Sequence, residues 1–195
     1  MSKVKTILCL SASSEFYGKW IRRITRSPVN HAFVMFQHPE LSGDRWWAIQ
    51  VAERGVVLEP AERVVGSPKM TLLECYACTG TDLWPGVQVH FGTLGAGYDW
   101  WGIFGFLLMI EAKRLFGIKI PNLYHGSGQY FCSEFVMTVL RGAGLNWAKC
   151  LIPSEVSPAN LREMILCRID RGWSAVPCPV NAESAVLNNP TNSAV

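Results

Sequence analysis

The sequence predicts an α+β fold, because its strand-like segments are gathered in the first half and its helical patterns in the second. Length and composition set the scale. A chain of 195 residues with 49% hydrophobic and 17% charged residues is long enough for one substantial core and short for two. A single domain is therefore expected over residues 1–175. A loosely ordered tail is expected over 176–195, where the sequence is small, polar and rich in proline.

Five short segments read as strands: KTILCL (5–10), HAFVMF (31–36), RWWAIQVA (45–52), GVVLEP (55–60) and MTLLECYA (70–77). Each is rich in β-branched or aromatic residues and bounded by Gly, Pro, Ser or Asp, which suggests a small, mostly antiparallel sheet. HPELSGD (38–44) reads as a hairpin-like loop and AERG (52–55) as a tight turn. Helical spacing then takes over at 82–91, 100–116, 131–141 and 157–167. The last of these opens on Ser157 followed by Pro158, a cap and a first-turn proline.

Charge and cysteine content narrow the function classes. A net charge of +3 with one local cluster, KWIRRITR (19–26), gives little ground for nucleic-acid binding, and no nucleic-acid partner is expected. Seven cysteines at irregular spacing, with only the brief apolar run ILCL near the start, fit free thiols in a reducing compartment. Cytoplasmic localisation is the default expectation, with another route to a cell wall left open. The longest apolar run, from Trp100 to Ile110, falls well short of the roughly 20 residues needed to cross a bilayer. No transmembrane segment is expected. A buried helix is the first reading of this run, and a helix lying against a membrane or a lipid-like substrate is the second.

One cysteine stands apart. In YFCSEFVMTVLRGAG (130–144), Cys132 opens an amphipathic helix, where the positive end of the helix dipole and unpaired backbone N–H groups favour a thiolate. The same N–H groups can hold a developing oxyanion. The competing reading is a buried structural cysteine. A nucleophilic thiol needs a base, and four histidines are available. His31 opens a strand after the turn-like SPVN, so its ring projects from a rigid element. His38 precedes a proline in a loop, His90 lies in a helical segment, and His125 lies in the Gly-rich YHGSG. Cys75 and Cys78 form a CxxC. No second pair completes a metal site, and on a strand the two thiols face opposite sides, so neither a metal nor another cofactor is expected.

Four segments in order resemble the circularly permuted papain-like cysteine hydrolases of the NlpC-type, YiiX-like group, including bacterial and phage members. They are TRSPVNHAFVMF (25–36), GYDWWGIFGF (97–106), FCSEFV (131–136) and SPANL (157–161). The resemblance covers about residues 5–170. It implies a permuted papain-like fold in which a small antiparallel sheet packs against helices and the nucleophile sits at a helix N-terminus. It also implies that Cys132 is the nucleophile and His31 the general base. Gln50, on the neighbouring strand, falls where the family places a polar or acidic residue, and its amide oxygen is expected to orient the imidazole. Glu53 is the competitor, placed by strand alternation on the opposite face and nearer the turn. Tyr98, Ser133 and Glu134 are the expected substrate-binding residues, with a buried ring the alternative for Tyr98 and helix capping the alternative for Glu134. Phe33 stands where relatives more often carry glycine, and its bulk is expected to narrow the cleft.

The implied activity is hydrolysis of an amide or peptide bond, in peptidoglycan or its fragments, through a thioacyl-enzyme. A lipid acyltransferase or esterase on the same site is the enzymatic alternative, with a lipid-amide substrate and peripheral membrane contact. A non-catalytic phage or scaffold protein that keeps the fold is the alternative from another class.

Overall fold

The computed structural model describes residues 4–118 and 128–180. In chain order the elements are β1 (Lys5–Ser13), α1 (Phe16–Thr25), β2 (His31–Gln37), α2 (Pro39–Ser42), β3 (Trp47–Ala52), β4 (Gly55–Pro60), α3 (Ala61–Val65), β5 (Met70–Cys78), α4 (Trp84–Val89), α5 (Trp100–Phe116), α6 (Cys132–Gly142), α7 (Asn146–Lys149), α8 (Pro158–Leu166) and β6 (Trp173–Ala175). The six strands form one sheet in the order β4-β3-β2-β1-β5-β6, and every neighbouring pair is antiparallel. The fold is α+β.

The central strands carry apolar side chains on both faces, which makes β1 and β2 read as continuous hydrophobic runs. On one face, Leu8, Leu10, Val34, Phe36, Ile49 and Val51 meet the inward side of α6, from Phe135 to Leu140. On the other, Ile7, Cys9, Phe33, Met35 and Ala48 are covered by α3 and Val180. Helix α6 lies over β2 and β3, and this places its first residue near the start of β2. A bidentate pair ties α8 to the sheet, with Arg162 donating to Glu74 on β5 at 2.6–2.9 Å.

The five expected strands are present, and four expected helices lie at Trp84–Val89, Trp100–Phe116, Cys132–Gly142 and Pro158–Leu166. The first is shorter than its periodicity implied, because the chain tightens into a 3-10 turn at His90–Thr93. The loop at 38–44 contains the short helix α2, started by Pro39 and capped by the His38 ring, which accepts the N–H groups of Glu40 and Leu41. Helix α1 covers most of the charge cluster at 19–26 and includes Gly18, a residue of low helix propensity. That glycine is a packing requirement: a Cβ there would sit 2.5 Å from Asn30 Nδ2.

The segment expected to be a loose tail begins against the sheet. Strand β6 pairs with β5, Val176 N donates to Cys75 O, and Val180 is buried. The remainder of that segment, 181–195, and His125 lie outside the described residues.

Candidate active site

His31 starts β2, and its Nε2 lies 2.8 Å from Gln50 Oε1 on β3. The β2–β3 register, with Val34 opposite Ile49 and Phe36 opposite Trp47, continues to place Gln50 across from Phe33. His31, two residues earlier, projects from the same face and stacks on the Phe33 ring at 5.8 Å. Gln50 is itself oriented, since its Nε2 donates to Glu59 Oε1 at 2.7 Å. Gln50 pairs with Val57 across the β3–β4 hairpin, so Glu59 is its diagonal neighbour. The result is a relay, His31–Gln50–Glu59, across three adjacent strands. Because the amide commits its oxygen to His31, the imidazole carries its proton on Nε2, and Nδ1 is left as the acceptor.

Cys132 is the first residue of α6, and its thiol donates to Asn30 O at 3.8 Å, the carbonyl immediately before His31. Asn30 is fixed by an amide that imitates a strand pair, accepting from Ser13 N at 2.7 Å and donating to Ser13 O at 3.0 Å. Its own N–H donates to Ser11 O. The sulphur is thereby set against the backbone that carries His31. Tyr98 reaches the same place because the segment before α5 pairs with the residue before Phe131: Tyr130 N donates to Gly97 O and Asp99 N to Tyr130 O. Gly55, at φ +95°, lets the start of β4 lock onto that segment through Val56 N and Ala96 O; a side chain there would run into the Ala96 carbonyl.

Burial governs the titration of both groups. It pushes the Cys132 thiol up to about 11, against the opposing pull of the backbone amides of Ala32, Ser133 and Cys132 itself. It also lowers the His31 imidazole, against the hydrogen bond to Gln50 and the charge of Glu15. The expectation of a thiolate favoured by the helix terminus is therefore corrected. Both shifts favour the neutral forms of the thiol and the imidazole, since the desolvation cost of the charge exceeds what the first turn of α6 returns.

Cys132, His31, Gln50 and Tyr98 line one cavity of about 490 Å³. Its wall also carries three carboxylates, Glu15, Glu53 and Glu59, and three cations, Arg54, Arg63 and Lys69. Glu15 accepts the Tyr17 hydroxyl and pairs with Lys69 Nζ at 3.0 Å, and the hydrogen bond from Tyr17 is the main reason its carboxyl lies below the usual range. Tyr98 is buried, and desolvation followed by the proximity of Cys132 raises its hydroxyl well above the usual value.

Ser133 and Phe33 do not line the cavity, and Glu134 takes the helix-capping place that was its alternative. The Ser133 hydroxyl is fully buried and donates to Val156 O at 2.7 Å. Glu134 is buried, accepts the Phe131 N–H and so satisfies a helix-terminal donor, and does not line the cavity. Phe33 is sealed in the core on the face that carries His31, where it backs the imidazole and does not line the cavity. Glu53 lies in the exposed β3–β4 turn on the cavity rim, one residue beyond β3, while Gln50 makes the contact with His31. His90 is held between Thr93 and Thr138 and packs on Phe135, away from the cavity.

Sequence reasoning missed Asn30, Glu59 and the Tyr17–Glu15–Lys69 group. Glu59 had a usable signal, because a two-residue turn at Glu53–Arg54 fixes the hairpin register and therefore its position beside Gln50. No protein-family model and no curated protein matches the chain.

Proposed function

We propose that the cavity at Cys132 is the active site of a cysteine hydrolase that cleaves an amide or peptide bond through a thioacyl-enzyme, on a permuted papain-like arrangement of strand and helix. The observation that carries this reading is the convergence, in one cavity, of a helix-starting thiol and an imidazole whose far nitrogen is held at 2.8 Å by an oriented amide.

The neutral starting pair sets the order of events. As Sγ bonds to the substrate carbonyl carbon, the thiol proton moves to His31 Nδ1 and the carbonyl electrons move onto oxygen. The N–H groups at the start of α6 stabilise that oxyanion. Collapse reforms the carbonyl and breaks the C–N bond, and the leaving nitrogen takes the proton from His31. Water then adds to the thioester while His31 takes its proton. The C–S bond breaks, and the proton returns to sulphur with release of the acid. Gln50 keeps the imidazole in the tautomer these steps need, and Glu59 keeps the Gln50 amide from flipping.

Substrate class follows from the cavity wall. Three carboxylates and three cations suit a short peptide bearing both charges, as in peptidoglycan fragments, better than an aliphatic chain. The test is amine release from synthetic muropeptide fragments, followed in wild type and Cys132→Ala. Release by the wild type alone supports the reading. Equal, background release by both, with the biological role of the chain intact in Cys132→Ala, would assign the fold to a non-catalytic scaffold.

A lipid-linked acyl substrate is the second reading, favoured by the exposed aromatic rings of α1 and α5 beside the cavity. Among the described residues no helix is long and apolar enough to cross a membrane.

A further inference from the structure

Two neighbouring helices leave large apolar side chains uncovered. On α5, Trp101, Phe104, Leu108 and Leu115 follow helical spacing along one stripe, and on α1, Phe16 and Trp20 are one turn apart. All six are at least 47% exposed. The helices meet through Tyr17 and Trp100, whose rings pack edge to face at 5.1 Å. Tyr17 also lines the cavity that holds Cys132, so this surface borders its wall.

The charge on α1 is of one sign, whereas the end of α5 carries Glu111, paired with Arg114, along with Lys113. Residues 16–26 contain Lys19, Arg22, Arg23 and Arg26 and no acidic residue. Arg22 is committed to Ser13 O, while Lys19, Arg23 and Arg26 are exposed. Lys19 and Arg23 share the outer side of α1 with Phe16 and Trp20 by helical spacing. Bulky aromatics and leucines edged by lysine and arginine, on a helix too short to span, match a surface that lies in the headgroup region of a membrane. A protein partner would have to bury these rings while offering carboxylates to α1; an anionic bilayer supplies both environments at once.

We propose that the outer faces of α1 and α5 dock this protein on anionic lipid bilayers, with the Cys132 cavity held beside the headgroup layer. The docking surface is separate from the residues that carry the chemistry, so the two can be tested apart. The full chain is mixed with vesicles of phosphatidylcholine alone or with about one-third phosphatidylglycerol, and binding is read by co-sedimentation and by tryptophan emission. The expected result is binding to the anionic vesicles with a blue shift, weakened by salt. Trp101→Ser/Phe104→Ser and Lys19→Glu/Arg23→Glu should each reduce binding by about tenfold or more. Acylation of Cys132 by p-nitrophenyl acetate in solution should stay at the wild-type rate in both variants. Absence of binding to either vesicle, or equal binding by wild type and both variants, would overturn the proposal. So would a dimer in sedimentation velocity that Trp101→Ser/Phe104→Ser dissociates, because the surface would then belong to a second copy.

Discussion

Two regions of the molecule bury thiols, and they differ in what surrounds the sulphur. Cys9 and Cys75 are paired across β1 and β5 with their sulphurs 3.7 Å apart, and Cys178 packs against the same cluster. They belong to the core on one face of the sheet. Cys132 is equally buried, at 3% exposure, but it opens onto a cavity with His31 on the same wall. Burial pushes both the Cys9 and the Cys132 thiols up. An elevated thiol pKa therefore marks burial and does not by itself mark or exclude a nucleophile. What distinguishes Cys132 is the open space before it and an imidazole fixed from behind.

The strongest way to break this contrast is to remove the base. His31→Ala should slow acylation of Cys132 by p-nitrophenyl acetate by about 10²–10⁴-fold, read by mass spectrometry of the peptide containing Cys132. An unchanged rate would reduce Cys132 to the status of Cys9. Loosening the imidazole sharpens the contrast: Gln50→Ala should cost about 10–100-fold through loss of tautomer and orientation. Glu59→Gln, which keeps shape and loses charge, should cost only about threefold, because its effect passes through the Gln50 amide. At the other thiol site, Cys75→Ala should lower stability by about 1 kcal/mol in denaturant unfolding and leave the acylation rate unaltered. A loss of acylation there would couple the two regions and undo the distinction.

Much of the architecture was legible because it rests on local signals. The strands of the first half carried β-branched runs between breakers, and Pro158 and Cys132 marked helix starts to within a residue. The elements that escaped notice depend on tertiary contact. Helix α1 carries a glycine that the close approach of Asn30 and Ser13 explains, and β6 has three residues whose pairing with β5 makes them a strand. The CxxC pair behaved as strand alternation requires, with Cys75 facing one core and Cys78 the other. At the site, the helix start and the strand start pointed to Cys132 and His31, the family resemblance added Gln50, and all three line one cavity. Ser133 and Glu134 follow Cys132 in sequence but do not line the cavity, and Glu134 makes the helix cap that was its alternative. On a helix, successive residues lie about 100° apart, and these two turn into the core. The protonation states were also illegible, because the helix-dipole effect is local and readable whereas the desolvation of Cys132 depends on segments up to a hundred residues away.

The most direct test of a neutral Cys132–His31 pair is the pH dependence of Cys132 acylation by p-nitrophenyl acetate in the wild type. The imidazole must be unprotonated to take the thiol proton, and burial holds its pKa below the usual 6.5. The rate should therefore fall as pH drops through an apparent pKa below 6.5. It should be flat through neutrality and rise again only as the thiol itself ionises near 11. A rate proportional to hydroxide from pH 6 upward, identical in His31→Ala, would show an ordinary buried thiol and contradict the assignment of His31 as its base.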